Sequence, residues 1–400
     1  MPESAIAERD SAWRVFLVFL RLGLTSFGGP IAHLGYFRTE FVERRRWLDD
    51  RSYADLVALC QFLPGPASSQ VGMALGLGRA GAWGALAAWV GFTLPSALML
   101  ILFAYGISEY HALAEAGWVH GLKVVAVVVV AQAVWGMART LCPDRPRAAL
   151  AILAALLTLL LPSTWMQVVA IAMTGLIGRW WLQLPPLPAA HLASYAVSRR
   201  SGAMALGLLA AFLLGLPLWA AASGSTMAAL IDGFFRASAL VFGGGHVVLP
   251  LLQAATGSTG AVGNAEFLAG YGAAQAVPGP LFTFAAYLGT VADWPLQGWR
   301  GGLVLLVVIF VPAFLVLIGT LPFWQRLRHR QGIQAAMAGI NAGVVGILLS
   351  ALYDPIWTGA IHGRTDFALA LATFGLLVYG RLPPVLVVVL AAVTGQILSA

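Results

Sequence analysis

Apolar residues in this chain come in long unbroken stretches, and polar residues are confined to the short gaps between them. Thirteen stretches fall at about 13–31, 54–78, 82–106, 118–138, 148–161, 164–182, 203–222, 227–250, 266–290, 299–321, 334–353, 366–379 and 383–399. Most approach the roughly 20 residues that a helix needs to cross a bilayer. Runs such as Val124–Val130 and Leu303–Val311 do not alternate polar with apolar residues, which argues against barrel strands. Helices satisfy their own backbone N–H and C=O groups, which lipid cannot do. The pattern predicts an all-α integral membrane protein.

The pattern also repeats. Arg21-x5-Phe27-Gly28-Gly29 recurs as Arg236-x5-Phe242-Gly243-Gly244, and Gln61-x2-Pro64-Gly65-Pro66 as Gln275-x2-Pro278-Gly279-Pro280. Thr93-Leu94-Pro95-Ser96 is echoed by Phe310-Val311-Pro312-Ala313, and Gly121-Leu122-Lys123 by Gly339-Ile340-Asn341. The offset drifts only between 214 and 218. Six equivalent segments per half, with 203–222 alone between them, predict a repeat at 13–182, a connector with an extra helix at 183–226, and a second repeat at 227–400. An odd extra span inverts the second half, the plan of many secondary transporters. The Gln183–Gly202 stretch, with its PPLP and Ser198–Gly202, reads as an exposed linker.

Arginine placement agrees with inversion. The segment after the first motif carries Arg38, Arg44, Arg45, Arg46 and Arg51, whereas its counterpart, Leu251–Asn264, carries no Lys or Arg. Trp324–Gln331 carries Arg326, Arg328 and Arg330, whereas Ile107–Gly117 carries none. Basic loops mark the cytoplasmic side. All arginine-rich loops share that side only if 13–31 and 54–78 enter and leave on one face. Re-entrant hairpins are therefore favoured over full crossings.

Composition narrows the partners. Of 400 residues, 60% are hydrophobic and 10% charged, against about 25% charged in soluble domains. The net charge of +7 is mostly Arg in short loops, so it reads as topology signal, not as a nucleic-acid surface. Cys60 and Cys142 lack metal or redox spacing. His33 and His246 follow the Phe-Gly-Gly motifs at different spacings and read as hydrogen-bonded structure. No metal site, cofactor motif, ATPase domain or hydrolase signature is present in the sequence, so no enzyme activity is expected.

The chemistry lies in the interruptions. Pro-Gly-Pro in mid-membrane cannot continue a helix, because proline removes a donor and clashes with the preceding turn, at about 3 kcal/mol. Such a break opens a new helix N-terminus, which suits an anion. Ser68, Ser69 and Gln70 follow the first break and Thr283 the second. Arg21 and Arg236 would supply positive charge or snorkel to the interface. Lys123, the only lysine, is either an interhelical partner or a charge for the substrate. Asp232, four residues before Arg236, predicts an ion pair along one helix face. The candidate substrate-binding residues are Arg21, Phe27, Gly28, Gly29, Gln61, Pro64, Gly65, Pro66, Ser68, Ser69, Lys123, Arg236, Phe242, Gly243, Gly244, Gln275, Pro278, Gly279, Pro280 and Thr283.

The run SFGGPIAHLGYFRTEFVERRRWLDD followed by QFLPGP, and its copy RASALVFGGGHVVLPLL followed by AAQAVPGP, resemble the chromate ion transporter family, in its long, two-half form. The resemblance covers essentially the whole chain. It implies a multi-pass protein of the cytoplasmic membrane that exports chromate, with sulfate as the other oxyanion candidate. The oligomeric state stays open, a homodimer being one option.

Overall fold

The structure is a computed structural model that describes residues 10–109, 117–161, 164–184, 197–242, 245–324 and 330–399. Among these residues the regular structure is helical throughout, with no β-strand.

The first half comprises α1 (Ala12–Thr25), α2 (Gly29–Arg38), α3 (Asp50–Phe62), α4 (Ala67–Glu109), α5 (Gly117–Leu141), α6 (Arg145–Leu160) and α7 (Thr164–Trp181). Non-helical angles at Ala80 and Gly81 divide α4 into two arms. After α8 (Arg199–Ser223) come α9 (Thr226–Ala239), α10 (Val248–Thr259), α11 (Asn264–Ala276), α12 (Phe284–Val291), α13 (Trp299–Thr320), α14 (Gln331–Ala351), α15 (Arg364–Val378) and α16 (Pro384–Ser399). With α4 counted as two arms, the two halves run through matching elements in the same order. Among the described residues, five helices are long and apolar enough to cross a membrane, at Ala67–Ile107, Gly117–Leu141, Arg199–Ser223, Trp299–Phe323 and Gln331–Trp357. Shorter apolar helices accompany them.

The early segments of each half fold as hairpins. α1 starts on an N-cap at Ser11, whose side chain accepts from the Arg14 N–H, a contact that contributes about 1 kcal/mol. It stops at Ser26, and α2 turns back, so Phe19 stacks near Phe37 and Phe41. Sequence pattern placed one stretch at 13–31 and read a loop beyond it. The structure instead continues the helix from Gly29 to Arg38 and through a wider π-helical turn, Thr39–Arg44. The cause is the buried series His33, Phe37 and Phe41, whose four-residue spacing holds one helix face. Likewise α10 extends to Thr259, through residues that the pattern read as a loop.

The ends of the first half's hairpins gather beside Gly81. Asp10 pairs with Arg79 at 3.0 Å, the Arg79 guanidinium lies over the Trp47 ring, and Arg38 bridges Asp50 and Glu43. The corresponding ends of the second half meet where the Asp293 N–H donates to the Ala261 carbonyl. There the Trp299 N–H donates to Tyr105 Oη, 24 residues further along α4 than Gly81, or roughly 36 Å at helical rise.

Tight glycine crossings recur in both halves. A Cβ on Gly76 would lie 2.2 Å from the Gly84 carbonyl oxygen, and one on Gly289 would lie 2.4 Å from that of Gly301. The later helices are exchanged between halves: α14 packs on α6 and α7, and α5 packs on α15 and α16. Gly121 abuts Ala391 and Gly395, while Gly339 abuts Thr174 and Gly178. Small residues at these points let backbones touch, which drives helix association in lipid. α8 packs on α9 and α13 and otherwise presents apolar side chains such as Met204, Leu214 and Leu218 outward.

Candidate functional site

The helix breaks of the two halves meet. The Gly65 N–H donates to the Val241 carbonyl at 2.7 Å, and the Gly279 N–H donates to the Ser26 carbonyl at 2.9 Å. Each Pro-Gly-Pro glycine thus bonds to the residue just before the other half's Phe-Gly-Gly. Gly65 and Gly279 hold φ of +114° and +100°, and Gly28 and Gly29 hold +98° and +78°, angles open to glycine and costly for other residues. A Cβ on Gly65 would approach Ala313, and one on Gly279 would approach Ser96. The Thr93–Ser96 and Phe310–Ala313 motifs are therefore part of the same crossing. The amides of Gly65 and Gly279 are committed to this crossing. Donors for a bound ion must come from the neighbouring helix starts and side chains.

Side chains around the crossing differ between halves. In the first half, Ser26, His33, Ser68, Ser69, Gln70, Thr93 and Ser96 are all buried. His33 Nδ1 lies 3.5 Å from Ser68 Oγ, and the imidazole faces the Ser26 carbonyl and the edge of Phe92. Gln70 Nε2 donates to the Pro64 carbonyl. Among the described residues, Ser26 Oγ, His33 Nε2, Ser69 Oγ, Gln70 Oε1 and Thr93 Oγ1 have no hydrogen-bond partner. In the second half the equivalent positions hold Val241, Val248, Phe282, Thr283, Phe284, Phe310 and Ala313. Thr283 is the one hydroxyl among them, and it donates to its own Pro280 carbonyl.

Two equivalent clefts lie between the hairpin arms that flank the crossing. One, of about 710 Å3, is lined by Arg21, Thr25, Tyr36, Glu40 and Arg44. The other, of about 250 Å3, is lined by Asp232, Arg236, Leu240, Leu251 and Ala255. Each runs from its arginine to the end of the helix that carries it, at Thr25 in the first half and Leu240 in the second. Arg236 pairs with Asp232, whose side chain is 4% exposed, as the four-residue spacing predicted. Glu40, on the opposite arm of the first cleft, accepts from Arg44 and Arg45.

The other sequence candidates spread around this frame. Phe27 is half-buried and Phe242 buried, Gln61 is exposed, and Gln275 is half-buried with an unpartnered Nε2. Pro64, Pro66, Pro278 and Pro280 form the breaks themselves. Lys123 lies on α5, half-buried, with no carboxylate at ion-pair distance among the described residues. Gly243 and Gly244 fall outside the described residues, as does the His246 side chain. Sequence reasoning did not single out Ser26, noted Gln70 after the first break and Thr93 in a repeated motif without placing either among the binding residues, and treated His33 as structure. Placing the two copies side by side finds them, because each is polar where its counterpart is apolar or aromatic.

Interlocked apolar helices with paired interruptions define a multi-pass membrane protein built from two related halves, a frame suited to moving a solute. The family model for the chromate transporter matches the chain twice, at residues 13–179 and 228–396. The protein belongs to the chromate transporter family. It is 28% identical over 85% of its length to the chromate transport protein of Pseudomonas aeruginosa, covering 80% of that protein. It is 26% identical over 95% of its length to the probable chromate transport protein of Synechococcus elongatus, covering 93% of it. It is 24% identical over 96% to the chromate transport protein of Cupriavidus metallidurans, covering 92% of that chain. No solved structure matches it.

Proposed function

We propose that this chain is a secondary transporter that exports chromate across the cytoplasmic membrane, with oppositely oriented halves that expose one midplane site to each side in turn. The observation that carries the reading is the reciprocal bonding of the two breaks, Gly65 to Val241 and Gly279 to Ser26. Non-helical backbone at membrane depth is tolerated where it is enclosed by protein or lines a wet path. The starts of α2 and α4 direct positive dipole ends toward this point. Gln275, Ser68 and Ser69 stand near the breaks as donors, with Gln61 on the first break's approach, while the Thr283 hydroxyl already donates to the Pro280 carbonyl and holds the second break's turn. The cleft below Arg21, with Arg44 and a single carboxylate, Glu40, forms an electropositive approach, the cleft below Arg236 is balanced by Asp232, and Lys123 adds charge on α5. Small backbone at Gly28, Gly29, Gly65, Gly243, Gly244 and Gly279, framed by Phe27, Phe242 and the prolines, lets an oxyanion come close. Inversion is supported by the hairpin ends lying beside Gly81 in one half and beside Tyr105 in the other.

Flux of labelled chromate in everted vesicles, with sulfate as competitor, tests the reading. Export predicts chromate accumulation above that of vesicles lacking the protein. No excess accumulation overturns transport, and faster entry into right-side-out vesicles reverses its direction. Strong competition by sulfate would assign a broader tetrahedral-oxyanion site. Inversion is tested separately, in a background without Cys60 and Cys142. Arg51→Cys and Ala265→Cys, equivalent exposed positions, are expected to react with an impermeant thiol reagent from opposite sides.

A further inference from the structure

The two halves cross symmetrically in backbone, so a symmetric pair of ion sites would be the simple expectation. The side chains argue otherwise. Among the described residues, buried side-chain atoms of Ser26, His33, Ser69 and Thr93 in the first half lack hydrogen-bond partners, as does the acceptor Gln70 Oε1. Buried polar atoms are nearly always hydrogen-bonded, and an orphan costs about 1–3 kcal/mol. Unpartnered hydroxyls and an imidazole nitrogen on the elements that meet at the crossing are a standing cost unless something with several oxygens answers them, whereas Gln70 Oε1 can only accept and takes no part in holding an anion. Hydroxyls and an imidazole N–H are donors suited to a tetrahedral oxyanion. None of the five residues hydrogen-bonds a carboxylate among the described residues, and the start of α4 at Ala67 adds its dipole. In the second half the same place is filled. Val248 stands for His33, Phe282 for Ser68 and Phe310 for Thr93, and the rings of Phe282 and Phe310 lie 5.9 Å apart.

We propose that each chain binds one oxyanion, in a single pocket of the first half where His33 and the hydroxyls of Ser26, Ser69 and Thr93 grip its oxygens, while the second half's equivalent place is a packed hydrophobic counterpart. This rests on the reading that the protein carries an oxyanion, and it assigns the ion's place and number. The second half is then the fixed partner against which the pocket opens and closes, held through the Gly279–Ser26 bond that ends on the same serine.

The test is equilibrium dialysis of purified protein with labelled chromate, together with chromate-induced thermal stabilisation. The expected stoichiometry is one ion per chain. Thr93→Val, which keeps shape and removes only the hydroxyl, and Ser26→Ala each weaken Kd tenfold or more and abolish the ligand-induced shift, while the ligand-free midpoint does not fall and rises as the unpartnered hydroxyl is removed. His33→Gln weakens Kd and abolishes the shift in the same way and changes the preference between chromate and sulfate. Ser238→Ala, which removes a buried unpartnered hydroxyl of the second half, leaves Kd within twofold. Two ions per chain, or Kd within twofold for both Thr93→Val and His33→Gln, overturns the pocket while leaving transport intact. Wild-type protein that binds neither chromate nor sulfate overturns the transport reading and the pocket with it.

Discussion

The crossing of the breaks and the ring of side chains around it obey different rules in the two halves. Backbone features come in matched pairs. Gly65 and Gly279 have the same left-handed angles and reciprocal bonds, Gly76–Gly84 matches Gly289–Gly301, and Gly121 on α16 matches Gly339 on α7. Side-chain chemistry does not: His33 corresponds to Val248 in the repeat, and Thr93 to Phe310. Duplication kept what the architecture needs twice and let the polar lining survive once. At the crossing itself, glycine and proline backbone features that are alike in both copies are thus read as scaffold, and side chains that are polar in a single copy as chemistry.

The sharpest way to break this division is at the scaffold. A Cβ would lie 2.1 Å from the Ala391 carbonyl oxygen at Gly121 and 2.2 Å from the Thr174 carbonyl oxygen at Gly339. Backbone on both sides leaves nothing flexible to yield. Gly121→Val and Gly339→Val are each expected to cost about 3 kcal/mol or more and to leave little monodisperse protein in detergent. Equal loss in both is the expectation. Tolerance at one position would show that the exchanged helices matter to one half alone.

Much of this frame was legible in the sequence. The helical class, the two copies and the breaks followed from apolar run length, a nearly constant offset and proline chemistry. The arms α2 and α10 were missed because Arg38, Glu40, Arg44 and Arg45 made the first look like a loop. Their charges are in fact paired at the helix end, Arg44 and Arg45 with Glu40 and Arg38 with Glu43 and Asp50, while Phe37 and Phe41 turn inward. The exchange of late helices was invisible because apolar helices without a marked polar face do not declare their neighbours. The polar pocket was half legible. Ser68 and Ser69 stood out beside a break, but Ser26, His33 and Thr93 gain meaning only when three separate elements come together.

The next comparison sets Arg236 against Arg21. Arg236 compensates a carboxylate buried in its own helix, and removing one partner of such a pair typically costs about 3–5 kcal/mol. Arg236→Ala should therefore lower the thermal midpoint and the amount of folded protein, and adding Asp232→Asn should restore most of both. Arg21 is exposed and has no such carboxylate on its own helix turn, since Leu17 stands where Asp232 does. Arg21→Ala is expected to change stability by no more than about 0.5 kcal/mol while chromate efflux falls at unchanged protein level. Efflux unchanged in Arg21→Ala would remove the first cleft from the ion's path.

The smallest effect concerns the ends of the hairpins. In the second half the junction is a backbone bond, Asp293 N–H to Ala261 O, but in the first it depends on side chains, Asp10 with Arg79 at 3.0 Å. The Asp10 and Arg79 side chains are 9% and 15% exposed, so the pair is better shielded than a surface pair, whose coupling is about 0.2–1 kcal/mol. A double-mutant cycle of Asp10→Asn and Arg79→Ala should give coupling at or slightly above the upper end of that range, about 1 kcal/mol, with weak dependence on salt. Arg79→Lys should not rescue it, because the flat guanidinium also stacks on Trp47 with its centre 5.1 Å from the ring and an ammonium cannot serve both contacts. If lysine restored full stability, charge alone would hold the hairpins together, and the first half would lack a shape-specific clasp equivalent to the second half's backbone bond.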